Sequence, residues 1–189
     1  MSGMRLVLAS ASPRRKRLLL KITKKFSVEP ANASERIGGQ EGFPAAAKRL
    51  ALKKALEVAK RNPGAVVVGA DTVAYLGRRN FRKTEKLARA RETLAFLSGK
   101  AHYVVTGVAV VFPGRKKPAN YCVKAVVRMK KIEGRALCAY LKSGEWKGRA
   151  GCYDVSGKGR ALVASVRGEK ETVVGLPLAK LRRLLSKLQ

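Results

Sequence analysis

Short apolar runs typical of buried strands alternate along this chain with segments of helical periodicity. Strands are expected at residues 5–9, 65–69 and 104–112, with an extension of the second over residues 73–76 left open, and helices at residues 14–22 and 44–61. This alternation predicts a mixed α/β sheet with flanking helices. Further strands are expected at residues 26–29, 121–129 and 161–166, and further helices after Thr84, at residues 132–141 and after Pro177.

The length and composition of the chain set its class. With 189 residues, of which 46% are hydrophobic, it is long enough to form one domain with a sizeable core, and we expect a single domain over residues 1–189. No apolar run reaches the roughly 18 residues that span a bilayer, so no membrane partner is expected. Cys122, Cys138 and Cys152 are too far apart for a CxxC pair, which favours a reducing, cytoplasmic location.

The formal net charge of +30 is the most unusual feature of the composition. Such a surface attracts polyanions, so we expect non-specific binding of nucleic acid. The basic residues are spread along the chain without a basic tail, which is also typical of a solvated surface. No stacking motif or nucleic-acid-binding module is identified in the sequence.

The only histidine is His102. A single histidine argues against a histidine-rich zinc site and against a Ser-His-Asp hydrolase. Because His102 begins an apolar strand, we interpret it as structural.

The segment from Ser10 to Arg15 joins the end of a strand to the start of a helix. Ser12 is expected to cap this helix, with Pro13 in its first position. Free backbone N–H groups together with Arg14 and Arg15 are suited to a phosphate. A capped helix with solvated arginines remains the alternative.

Asp71 follows the apolar run of residues 66–70 and is one of only two aspartates. A carboxylate at the end of a buried strand is costly unless a metal, a lysine or a bound water pairs with it. Ligands of open α/β sheets lie near such strand ends. An ordinary strand-end turn is the alternative. Among so many charged residues Lys54, Lys83 and Glu35 are weak candidates, because the default for such side chains is solvation.

Six segments, in order, resemble the Maf family of nucleotide pyrophosphatases. They are LASASPRR at residues 8–15, RLALKKA at 49–55, GADTV at 69–73, LSGKAHYVVTGVAV at 97–110, SGEW with AGCY within 143–153, and VVGLPL at 173–178. The resemblance covers nearly the whole chain. It implies a Maf or ITPase-like fold, with two lobes around a deep cleft.

The resemblance also implies an activity and a set of site residues. A nucleoside triphosphate is hydrolysed between its α- and β-phosphates, with dTTP, UTP or modified nucleotides as expected substrates and Mg²⁺ or Mn²⁺ as cofactor. By position, Ser10, Arg14, Arg15, Lys54 and Lys83 would bind the phosphates. Asp71 would activate water or hold the metal, with Glu35 as a second metal ligand.

The chain departs from the family pattern at Gly148, Ser156 and Thr172, where an acid, a glutamine and an asparagine are usual. These changes bear on nucleotide selectivity. A basic nucleic-acid-binding protein on the same scaffold, with little or no catalysis, is therefore the alternative function. A homodimer is one alternative for the oligomeric state.

Overall fold

The computed structural model of the chain describes residues 4–33, 36–38 and 41–186. Its strands are β1 (Leu6–Leu8), β2 (Ser27–Val28), β3 (Val66–Leu76), β4 (Arg79–Asn80), β5 (Ala101–Val111), β6 (Ala119–Met129) and β7 (Val163–Arg167). Its helices are α1 (Pro13–Leu19), α2 (Phe43–Arg61), α3 (Leu87–Leu97), α4 (Gly134–Lys142), α5 (Lys170–Val174) and α6 (Leu178–Leu185). Short 3-10 turns occupy Ala150–Cys152 and Lys158–Leu162.

These strands form one seven-stranded mixed sheet in the order β2-β1-β3-β5-β6-β7, with β4 paired to β3. The pairs of β1 with β2 and β3 are parallel, whereas β6 and β7 are antiparallel. The predicted mixed α/β sheet is confirmed. No helix in the described ranges combines the length and apolar character needed to cross a bilayer.

The chain divides into two compact units. The first contains Met1–Asp71, Thr106–Val123 and Gly175–Gln189, and the second contains Thr72–Val105 and Lys124–Val174. The long strands β3, β5 and β6 each contribute residues to both units.

In the first unit, small residues let helix α2 lie directly on the sheet. Ala51 and Ala55 of α2 are fully buried against Gly69 of β3, where a Cβ would lie 2.8 Å from Ala55 N. A Cβ on Gly107 of β5 would lie 2.7 Å from Lys48 N and still closer to the carbonyl of Ala47. Real Cβ atoms do not approach a backbone so closely, so both glycines are required for this packing.

In the second unit, one face of the sheet and helices α3 and α4 enclose the core. Val104, Val127 and Met129 lie in this core with Leu94 and Leu141. His102 is 1% exposed, and its Nε2 lies 2.8 Å from the hydroxyl of Tyr153. Burial lowers the pKa of His102 to about 4. A buried histidine bonded to a tyrosine is a structural residue, in agreement with the prediction.

One local alternative was confirmed and one local prediction was wrong. The extension over residues 73–76 belongs to β3, which continues to Leu76 and pairs there with β4, so Asp71 lies within a strand. The β-branched and aromatic residues Val73 and Tyr75 extend the strand beyond the carboxylate. Helix α3 begins at Leu87, so Thr84 does not cap it. The Thr84 hydroxyl instead accepts a bond from the backbone N–H of Lys86 at 3.0 Å.

Candidate functional site

The segment after β1 is organised by hydrogen bonds from side chains. The Ser12 hydroxyl accepts a bond from Arg15 N at 3.4 Å, and Pro13 occupies the first turn of α1. The predicted helix cap is therefore confirmed. The Ser10 hydroxyl accepts a bond from Ser12 N at 3.3 Å, which fixes the turn that precedes the helix.

Arg15 is buried and fixes this segment from within. Its Nη1 donates to the Ser10 hydroxyl at 3.1 Å, and its Nε donates to the carbonyl of Gly175 at 2.9 Å. Gly175 has a positive φ of 119°, a conformation that favours glycine. Arg15 thus connects the segment after β1 to the segment before α6. From the sequence, Arg15 was predicted only to bind phosphate, because a contact between residues 160 positions apart leaves no local signal. Arg14 is half-buried and Ser10 is buried.

Lys54 and Asp71 form a buried ion pair. Nζ of Lys54 lies 2.5 Å from Oδ1 of Asp71, and the two side chains are 7% and 6% exposed. The close packing of α2 on Gly69 brings Lys54 over the strand that carries Asp71. Because an isolated buried charge is unfavourable by several kcal/mol, each of these groups requires the other. Lys54 is therefore not the solvated lysine that is expected by default.

The register of the parallel strands relates these two clusters. Leu8 of β1 is opposite Val68 of β3, and the N–H of Ala9 donates to the carbonyl of Val68 at 2.8 Å. β1 ends at Leu8, and the N–H of Ser10 donates to the carbonyl of Leu8 at 2.9 Å, so the chain turns at this point. The carboxyl end of β1 therefore lies opposite a point on β3 that precedes Asp71 by three residues. Ligands of α/β sheets bind near such strand ends.

A second ion pair ties α2 to the loop that precedes it. The Arg49 guanidinium binds both carboxylate oxygens of Glu41, with 2.9 Å from Nε to Oε2, and also donates to the carbonyl of Arg36 at 3.0 Å. The hydrogen bond from Arg49 lowers the pKa of Glu41 to about 2. The predicted metal ligand Glu35 belongs to this loop but lies outside the described residues.

Lys83 belongs to the second unit. It is exposed and lines an open pocket together with Arg79, Arg82 and Arg89. Glu92, which contributes the acidic group of the lining, lies 2.5 Å from Arg79. Four cations around one depression suit an anionic ligand. Of these four residues, only Lys83 was predicted as a site residue. The three arginines lie on or near β4 and α3, and the fold brings them together.

Residues 151–159 of the second unit, a glycine-rich stretch, form a defined turn. Glu145 accepts bonds from Lys158 N at 2.9 Å and Gly159 N at 2.8 Å. Asp154 is buried, lies 3.2 Å from Nε of Arg149, and accepts a bond from Ser156 N at 2.9 Å. Both carboxylates accept hydrogen bonds from backbone N–H groups, which gives Asp154 a structural role.

The described residues contain no group of three or more His, Cys, Asp or Glu side chains that could hold a metal ion. Asp71 is a buried carboxylate of the first unit. One carboxylate completed by substrate phosphates and water is a common environment for Mg²⁺, which does not need a cage made only of protein ligands.

A mixed sheet with flanking helices makes this an α/β protein, and its first unit contains both the strand-to-helix segment after β1 and the buried Lys54–Asp71 pair. The chain belongs to the Maf-like protein family, whose match spans residues 5–188. The resemblance of the six sequence segments is thereby confirmed.

Relatives with established names match almost the full length of the chain. The dTTP/UTP pyrophosphatase of Paramagnetospirillum magneticum is 42% identical over 182 residues, covering 95% of both chains. The dTTP/UTP pyrophosphatase of Caulobacter vibrioides is 41% identical, covering 99% of this chain and 97% of its own. The nucleoside triphosphate pyrophosphatase of Anaplasma phagocytophilum is 40% identical, covering 96% and 94%.

Among solved structures, the Staphylococcus aureus Ham1 protein is similar over 67% of this chain and 72% of its own. The TM-score is 0.46 and the identity 12%. This likeness is too weak to carry an argument, and the family membership stands on the sequence match.

Proposed function

We propose that the protein is a nucleoside triphosphate pyrophosphatase, with dTTP and UTP or related modified nucleotides as substrates. The observation that carries the proposal is the buried Lys54–Asp71 pair in a chain of the Maf-like family. The names of the relatives support the same reaction and the same substrates.

Asp71 is the residue that we assign to the attacking water. Lys54 binds Oδ1, so Oδ2 is the oxygen through which Asp71 would orient a water molecule or accept its proton. The water oxygen bonds to the α-phosphorus as the bond from that phosphorus to the α,β-bridging oxygen breaks. The products are a nucleoside monophosphate and pyrophosphate. Most of the catalysis in such a displacement comes from positioning and from charge stabilisation.

The cationic and hydroxyl groups bind the phosphates in this proposal. Ser10 and Arg14 lie in the segment after β1 of the first unit, and Lys83, which is predicted to bind phosphate, is an exposed residue of the second unit. Arg15 is assigned a more specific part. Since its Nε and Nη1 are bonded to Gly175 and Ser10, it positions the Ser10 hydroxyl and adds positive charge to the phosphate site.

A divalent cation, Mg²⁺ or Mn²⁺, is part of the proposal, with Asp71 and Glu35 as its protein ligands. A single buried carboxylate fits a cation that binds mainly through substrate phosphates and water. When bound, the cation would neutralise charge that develops on the phosphate oxygens.

Product analysis tests the proposed reaction. The purified protein is incubated with dTTP, UTP and a wider nucleotide panel, with Mg²⁺, with Mn²⁺ or with a chelator, and the products are separated by ion exchange. We expect monophosphate and pyrophosphate in equal amounts, only when cation is present. A diphosphate with inorganic phosphate, or no turnover across the panel, contradicts the proposal.

The alternative function draws on the charge. A net charge of +30 favours non-specific, salt-dependent binding of nucleic acid on the same scaffold, with or without catalysis. Binding that falls steeply with salt supports this second function.

Three free thiols accord with our prediction of a reducing, cytoplasmic compartment. A homodimer remains an alternative for the oligomeric state, which sedimentation analysis tests.

A further inference from the structure

The second unit carries two stacked tyrosines on strands β3 and β5. The rings of Tyr75 and Tyr103 have centroids 5.4 Å apart and planes inclined by 29°. Tyr103 is 38% exposed and is one of the few large hydrophobic side chains of the described chain that reach solvent. The stacking contact with Tyr75 holds the Tyr103 ring in place and covers one of its sides.

Cations extend this aromatic pair across the neighbouring strands. Nζ of Lys124 on β6 lies 4.9 Å from the centroid of the Tyr103 ring. Arg128 lies four residues further along β6 and is exposed, so it shares a face with Lys124. On β7, Arg167 is the register partner of Val126 and is also exposed. We refer to Tyr75, Tyr103, Lys124, Arg128 and Arg167 as the aromatic–basic face.

The alternating burial of the strands shows that this is one face of the sheet. Ala74 precedes Tyr75, Val104 follows Tyr103, and Val127 precedes Arg128. Ala74, Val104 and Val127 all lie in the core with α3 and α4. Since successive side chains of a strand point to opposite sides, the aromatic–basic face is the side turned away from that core.

We infer that the aromatic–basic face binds single-stranded nucleic acid. A base replaces the Lys124 ammonium over the Tyr103 ring and stacks there, while Lys124, Arg128 and Arg167 pair with phosphates. A sheet surface with stacking aromatics and flanking cations suits a strand whose bases are unpaired, because each base has a flat face free to stack. A duplex keeps its bases stacked on one another and offers only phosphates. The net charge of +30 makes a polyanion the complementary partner.

Binding by stacking and binding by charge alone favour different ligands. If charge alone drives binding, duplex binds at least as tightly as single strand, and every surface cation contributes equally to the affinity. Stacking on Tyr103 makes single strand the preferred ligand and makes one aromatic side chain decisive. Pyrophosphatase activity is not involved, so chelator is present throughout and the result is independent of the proposed reaction.

The test measures fluorescence anisotropy of labelled oligothymidylate and oligouridylate of about 15 nucleotides, a length that covers one binding site, and of a duplex of the same length. The two single strands distinguish DNA from RNA as the ligand. Variants are Tyr103→Ala, Tyr103→Phe and Lys124→Ala, with Lys142→Ala as the matched control, because Lys142 is an exposed lysine on α4 of the same unit.

We expect at least one of the single strands to bind more tightly than the duplex. Tyr103→Ala should weaken single-strand binding by about 5- to 100-fold, and Tyr103→Phe should retain it, because stacking needs the ring and not the hydroxyl. Lys124→Ala should weaken binding more than Lys142→Ala. Ultraviolet cross-linking of a bromouracil-substituted strand to the unmodified protein should label the peptide that contains Tyr103. Equal or tighter duplex binding, an unaffected Tyr103→Ala variant, or cross-links confined to other peptides would overturn the inference.

Discussion

Nζ of Lys54 and Oδ1 of Asp71 lie 2.5 Å apart, on a helix and a strand that 17 positions of sequence separate. Both side chains are buried. Helix α2 lies on β3 without an intervening side chain because residue 69 is glycine and the facing helix positions are alanines. This close packing places a cation against the carboxylate.

Asp71→Asn should separate turnover from binding. The amide oxygen can still accept a bond from Lys54, so the variant should remain folded by circular dichroism. It can neither take a proton nor bind a cation well, and the rate of pyrophosphate release should fall at least about 10²-fold. Nucleotide affinity without metal, measured by calorimetry, should be retained. The control is Glu133→Gln, the same change at an exposed site. Near-parental turnover in Asp71→Asn would remove Asp71 from the mechanism.

Lys54→Met and Lys53→Met compare neighbouring lysines on α2. Lys53 is exposed, whereas Lys54 is buried against Asp71. Removing one member of a buried pair leaves an uncompensated charge, so Lys54→Met should lower the free energy of unfolding by about 3–5 kcal/mol. Lys53→Met should change it by no more than about 0.5 kcal/mol. Urea denaturation measures both. Equal effects would mean that the pair does not stabilise the fold.

Gly107→Ala should loosen the contact between α2 and the sheet. The added Cβ would lie 2.7 Å from Lys48 N and closer still to the Ala47 carbonyl, so the helix must shift. We expect a loss of about 2 kcal/mol or more in the free energy of unfolding. In Gly134→Ala the new Cβ meets nothing within 4 Å, and this control should be neutral or stabilised by about 0.4–1 kcal/mol. If Gly107→Ala were as stable as Gly134→Ala, the packing described for α2 would be wrong.

His102 should make stability depend on pH in a narrow range. Burial lowers its pKa from 6.5 to about 4 in the folded state, so the unfolded chain binds the proton more readily. The stabilisation is complete above pH 6.5 and is lost as the pH falls through 4. The loss is at most about 3.5 kcal/mol, at about 1.4 kcal/mol for each pKa unit.

His102→Gln is the comparison for this pH dependence. Glutamine can still bond to Tyr153, and the chain has no other histidine. The difference in unfolding free energy between the parent and the variant, followed by urea titration from pH 7 to pH 4, should therefore isolate His102. A difference that does not vary with pH over this range would refute the assignment.

The sequence determined the elements and the family. Period-two and helical patterns located most strands and helices, Ser12 and Pro13 marked the start of α1, and ordered segments such as GADTV identified the family. These are local signals, because capping and periodicity depend on residues a few positions apart. Local signals left open whether the strand continues past Asp71, and in the sheet β3 reaches Leu76, where it pairs with Arg79 of β4.

The tertiary structure decided which charges are paired and which surfaces are continuous. Arg15 bonds to Gly175 across 160 positions, and Lys54 reaches Asp71 because helix and sheet meet at glycines. Tyr75 and Tyr103 stack because β3 and β5 are neighbours in the sheet. The sequence contains 42 lysines and arginines and nothing local that separates a buried ion pair from a solvated side chain. That distinction depends on burial, and burial is set by contacts between segments far apart in the chain.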